Sequence, residues 1–239
     1  MNKIEQITCN KCSTVNPLYT SICINCKSYL RERVVNIDLW KTIGLLIEDP
    51  SSAFRQIIFA ENKNFIIFIT LFIALKNLLI TRFLSVPFLG KEGVSTPFII
   101  SYFIILGFTL LLFIGFTLLQ KIYFNKLKTI LRVKDIYASD VYAFVPFVLG
   151  IFFIFPIELV VLGGDVFSNN PTPFQIKPTV SYLLAGFELL TFLWSFVLLN
   201  KSMRIISGKT LTPILFTVLF LSISILSYIV LSHLIFSLY

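Results

Sequence analysis

Four cysteines stand near the start of the chain as two pairs, Cys9-Asn10-Lys11-Cys12 and Cys23-Ile24-Asn25-Cys26, ten residues apart. A Cys-x2-Cys pair closes a tight knuckle that turns both sulfurs to one side. Two knuckles bring four thiolates into a tetrahedron that suits Zn²⁺. Asn16-Pro17 supplies the turn between them. Disulfides are the rival use of four cysteines, and a reducing cytosol disfavours them. The expected cofactor is therefore structural Zn²⁺, because four thiolates leave no open position for a substrate. Ser13 and Lys27 stand where such ribbons often have Gly, a departure that removes no ligand. Residues 1–35 hold five Lys/Arg against two Glu. That excess is weak for nucleic acid, so no nucleic-acid partner is expected. Docking of a soluble protein, or plain stabilisation, suits the ribbon better, and its basic residues nearest the membrane can meet anionic lipid.

A second set of chemistry-bearing residues lies inside apolar sequence: Lys76, Asn77, Arg82, Glu158 and Glu188. A charge at mid-bilayer costs about 2.5–3.5 kcal/mol on insertion scales, so each needs a partner or water. Two acids and two bases sum to zero. The expectation is that Lys76 or Arg82 pairs with Glu188 or Glu158 and locks a helix bundle. The alternatives are an ion or proton path, or snorkelling of Arg82 and Glu158. His233 has no acid or cysteine near it in sequence and suits an interfacial position rather than a ligand. Gly107, Gly115, Ser222, Ser224 and Ser227 suggest close helix contacts, compatible with a homodimer. No phosphate-binding loop, H-E-x-x-H, G-x-S-x-G or dinucleotide fingerprint is present, so a non-enzymatic protein is expected.

The elements that must position these groups follow from composition. The 239 residues are 56% hydrophobic and only 13% charged, with mean hydropathy +0.88. A soluble domain carries roughly a quarter charged residues. Twenty-six Phe suit lipid-facing helices. Five apolar stretches of about 20 residues read as spans: Phe65–Leu84, Phe98–Leu119, Val141–Gly163, Ser181–Leu199 and Pro213–Leu238. The net charge of +8 takes its meaning from location. Residues 1–64, 120–140 and 200–212 hold sixteen Lys/Arg, against two in 85–97 and 164–180. Basic loops stay inside, which places the amino end in the cytoplasm and the carboxyl end outside the cell membrane. No secretory signal is visible after Met1. The outer loops, with Ser95-Thr96-Pro97 and Asn169-Asn170-Pro171, are too short for a folded domain. Pro146 and Pro156 are expected to kink the third span.

Between ribbon and bundle, residues 36–64 form two short amphipathic segments. Ile37, Trp40, Ile43 and Ile47 recur at helical spacing in the first, and Ala53, Phe54, Ile57 and Ile58 in the second. Asp49-Pro50 ends one helix and caps the next. Both are too short to span and suit the bilayer surface, with Trp40 at headgroup level. The bland alternative is a helix pair packed on the cytoplasmic ends of the spans.

This order of parts resembles the Yip family, the Ypt- and Rab-interacting membrane proteins, in its prokaryotic form with an added ribbon. The residues carrying the resemblance are Asp49-Pro50 with Phe54, Tyr142-Ala143 with Pro146, Trp194, and Ser207-Gly208, within residues 38–238. The sequence lacks the Asp-Leu-Tyr-Gly-Pro signature of eukaryotic members, whose GTPase binding is therefore not carried over. The expected fold is an all-α polytopic membrane protein with a zinc ribbon at 1–35, amphipathic helices at 36–64 and a five-span bundle at 65–239. The expected function is a membrane scaffold or adaptor, and the alternative is a small transporter or channel component using Lys76, Glu158 and Glu188.

Overall fold

The computed structural model describes residues 6–17, 20, 22–30, 34–89, 97–127, 131–168 and 171–237, without the side chains of 6, 85–89, 233, 234, 236 and 237. The Ser95-Thr96 and Asn169-Asn170 turns, Lys91, Lys128 and the His233 side chain lie outside the described residues. The chain is an all-α polytopic membrane protein. Five helical stretches are long and apolar enough to cross a membrane. Helices are what a lipid environment permits, because each satisfies its own backbone polar groups.

Strands β1 (Gln6–Thr8) and β2 (Val15–Pro17) pair antiparallel, with Thr8 opposite Val15. Helices α1 (Leu39–Glu48) and α2 (Pro50–Phe59) form a collar before the spans. Asp38 caps α1 by accepting the Lys41 N–H, and Asp49 caps α2 by accepting the N–H groups of Ser51 and Ser52. Pro50 fills the first position of α2, where its missing N–H costs nothing. The spans are α3 (Ile66–Leu89), α4 (Phe98–Lys126), α5 with α6 (Val133–Ala143, Val145–Leu162), α8 (Pro178–Ser207) and α9 (Leu211–Ser237). A 3₁₀ turn (Gly163–Phe167) and the single-turn α7 (Pro173–Ile176) connect α6 to α8. Gly208, at φ 62°, takes the left-handed conformation that ends α8.

Two features differ from the sequence expectation. The stretch 120–140, read as a loop, is helical at both ends, since α4 runs on to Lys126 and α5 begins at Val133. The third span is also not one kinked helix. It breaks at Phe144 (φ −90°, ψ 8°), and Pro146 lies in the first turn of α6, where it displaces no helical hydrogen bond. Only Pro156 sits inside α6.

The spans pack α3 against α4, α6 and α9, α6 against α8, and α8 against α9. Phenylalanines fill the centre as well as the lipid-facing surface. Phe116 and Phe220 pack with ring centroids 4.3 Å apart and planes tilted by 34°, and Phe144 meets Phe113 and Phe196 edge-on at 5.1 and 5.4 Å. Such pairs add to packing beyond the area they cover. Gly107 and Gly115 are exposed on α4 with open space where a Cβ would stand, so they make no close helix contact within the chain.

Candidate functional site

The ribbon folds through local hydrogen bonds that shape each knuckle. In the first, the Ser13 N–H bonds Cys9 O and the Cys9 N–H bonds Thr14 O. In the second, the Lys27 N–H bonds Cys23 O and the Cys23 N–H bonds Ser28 O. Asn16, almost wholly buried, ties the two together. Its amide donates to Thr14 O at 2.7 Å and toward the Cys23 sulfur at 3.6 Å, while its oxygen accepts the Ile24 N–H at 2.9 Å.

All four sulfurs lie within 4.8 Å of one another, the one such ligand cluster among the described residues, and all four cysteines are free thiols. Cys9–Cys26 and Cys12–Cys23 are each 3.5 Å apart, sulfur to sulfur. Four sulfurs about 2.3 Å from a tetrahedral Zn²⁺ stand about 3.8 Å apart, so the cluster already has the size of the ion's coordination shell. A bonded disulfide would need about 2.05 Å.

Each sulfur also has a polar neighbour. Ser28 Oγ lies 3.3 Å from Cys9 and 2.9 Å from Cys26, Thr14 Oγ1 is 3.2 Å from Cys12, and the Lys11 N–H reaches Cys9 at 3.4 Å. These donors favour thiolates, the form a metal needs. The Ser28 hydroxyl and the Lys11 N–H hold the Cys9 thiol down at about 6. The Thr14 hydroxyl holds Cys12 below the ordinary thiol range. Cys26 bonds Ser28 as well, but burial and the neighbouring Cys12 and Cys9 push its thiol up.

Within the bundle, Lys76 of α3 and Glu188 of α8 form a buried ion pair. Gly150 of α6 makes room for it, because a Cβ there would stand 3.0 Å from Lys76 Nζ and 3.5 Å from Glu188 Oε2. Glu158 is buried on α6 within electrostatic reach of both charges. Arg82 turns the other way, donating to Ser101 at 3.2 Å and covering the Phe98 ring at 5.6 Å. Asn77 donates to Thr109 at 3.2 Å and accepts from the Tyr228 hydroxyl at 2.7 Å, which links α3, α4 and α9.

The remaining motif residues have structural settings. Phe54 is fully buried on the inner face of α2, and the Tyr142 hydroxyl donates to Asn64 O at 2.7 Å. Trp194 and Pro146 line an apolar groove of about 190 Å³ shared with Ile43 and Ile47 of α1.

Several polar residues missing from the sequence reading also matter. Asp140 is fully buried and accepts from Thr117 at 2.9 Å and Gln120 at 2.8 Å. Lys63 donates to the carbonyls of Ile57, Ile58 and Ala60 at the end of α2 and pairs with Asp135 at 3.1 Å. Arg132 holds the same Asp135 at 2.9 Å. Burial pushes the Lys63 ammonium down to about 8 against the attraction of Asp135. The spacing of Thr117 and Gln120 on one face of α4 was the available signal for Asp140.

Comparison with family models, with curated proteins and with solved structures finds no match to this chain.

Proposed function

We propose that the protein is a non-enzymatic membrane scaffold whose zinc ribbon recruits a soluble partner to a five-span anchor. The observation that supports this most directly is the make-up of the ribbon. Its four sulfurs converge into a closed set with no position left for substrate, while Val15, Ile22, Ile24 and Tyr29 are exposed on its surface. Apolar side chains held outward on so small a unit suit docking to protein better than docking to nucleic acid. The Yip resemblance fits this reading as a likeness in the order of parts. The sixteen-to-two bias of basic residues supports a cytoplasmic ribbon, where such a partner would be met.

The test is mild-detergent purification of the full chain with quantitative mass spectrometry of what remains bound. A scaffold retains a reproducible soluble protein that is lost in Cys9→Ser and kept in Glu188→Gln. A second reading, a small transporter component, draws on the buried Lys76, Glu158 and Glu188. It expects the reverse: flux that survives Cys9→Ser and fails in Glu188→Gln.

A further inference from the structure

The Lys76 cluster contains two buried acids and one buried base. Lys76, Glu158 and Glu188 are 1%, 4% and 3% exposed. The Lys76–Glu188 pair uses one carboxylate oxygen of Glu188. The other, Oε2, is buried without a hydrogen-bond partner, and so is Oε1 of Glu158. Glu188 Oε2 faces α6 beside Gly150. Glu158 follows about two turns beyond Gly150 on α6, within electrostatic reach of both Glu188 and Lys76.

Among the described residues, no second base forms an ion pair with either glutamate. From α9 the Tyr228 hydroxyl lies within electrostatic reach of Glu188 but donates to Asn77. Arg82 of α3 engages Ser101 and Phe98 on the α4 side. Toward the collar, Asp140 and Asp135 of α5 are both acids, with Asp135 bound by Lys63 and Arg132. Asp165, in the turn after α6, is an acid too. A net negative charge at this depth is costly unless something neutralises it.

We propose that Glu158 and Glu188 form an intramembrane binding site for one small monovalent cation, with Lys76 as the fixed positive charge beside it. Either a proton, taken from hydronium with release of water, or a sodium ion supplies the missing charge. The site stands whether the protein is a scaffold or a transporter, since it concerns binding and not flux.

Infrared difference spectroscopy of the purified full chain tests it, with Asp140→Asn as the background to remove the other buried acid facing no base. A protonated-carboxyl band in sodium-free buffer that Glu158→Gln removes identifies a proton. Carboxylate bands that shift on adding sodium, and lose that shift in Glu158→Gln, identify sodium. Lys76→Met removes the fixed charge, so the number of cations held rises from one to two and the corresponding signal about doubles. Spectra unchanged by both Glu158→Gln and Lys76→Met overturn the proposal. Glu158→Gln keeps the side-chain volume, so the folded protein remains available for the comparison.

Discussion

Ser13 and Lys27 hold left-handed backbone, at φ 56° and 54°, one in each knuckle of the ribbon. A side chain in that region costs roughly 1–2 kcal/mol, which Gly avoids. Ser13→Gly and Lys27→Gly are each expected to raise resistance to a zinc chelator by about 1 kcal/mol in apparent affinity, read by competitive titration. The convergence of the four cysteines was legible in the sequence because its spacing is local: each pair lies within one turn and the two turns lie close in the chain. The donors around the sulfurs were not legible. Asn16 was read as a turn residue, whereas its side chain bridges both knuckles. Asp140 was hidden for a different reason. It sits in a stretch that charge content marked as loop, and its partners, Thr117 and Gln120, come from another helix.

The collar shows how far periodicity carries and where it stops. Ala53, Phe54, Ile57 and Ile58 share one face of α2 as read, but that face is buried against α5 and α8 rather than laid on the bilayer surface, which is the alternative reading of a helix packed on the spans. In α1 the inward positions are Thr42 and Leu46, while Trp40 and Ile47 are 79% and 57% exposed. An apolar side chain near a bilayer can face lipid or protein with equal comfort, so hydropathy alone cannot choose between the two faces. The anchor of the collar is polar. Lys63 closes the end of α2 and ties it to Asp135 of α5. Its ammonium, normally near 10.5, is pushed down to about 8. Between those values the unfolded chain holds a proton that the folded chain has released, so stability rises with pH across that window. Thermal melting in detergent from pH 8 to 10.5 should show this rise, and Lys63→Met should flatten it.

At the scale of the whole molecule, the five-span architecture followed from composition and window length. The break at Phe144 did not, because Pro146 fits equally a kink or the first turn of a new helix. Pairing between spans was legible as a need for partners but not as a choice of partner, since four combinations satisfied neutrality. The bundle selects Lys76 with Glu188, in the space left by Gly150. Removing one member of a buried pair costs about 3–5 kcal/mol. Lys76→Glu should therefore abolish folded expression, and adding Glu188→Lys should restore it, measured as monodisperse protein from membranes. Failure of that double reversal would mean that the pair is not what holds α3 to α8.

The ribbon as the working end of a membrane anchor is tested most directly by native mass spectrometry of the full chain released from mild detergent. The expected species is one chain with one zinc ion and a soluble protein, with metal and partner both lost in Cys9→Ser. A metal-free chain, or a partner that stays bound to the metal-free Cys9→Ser variant, would contradict the account.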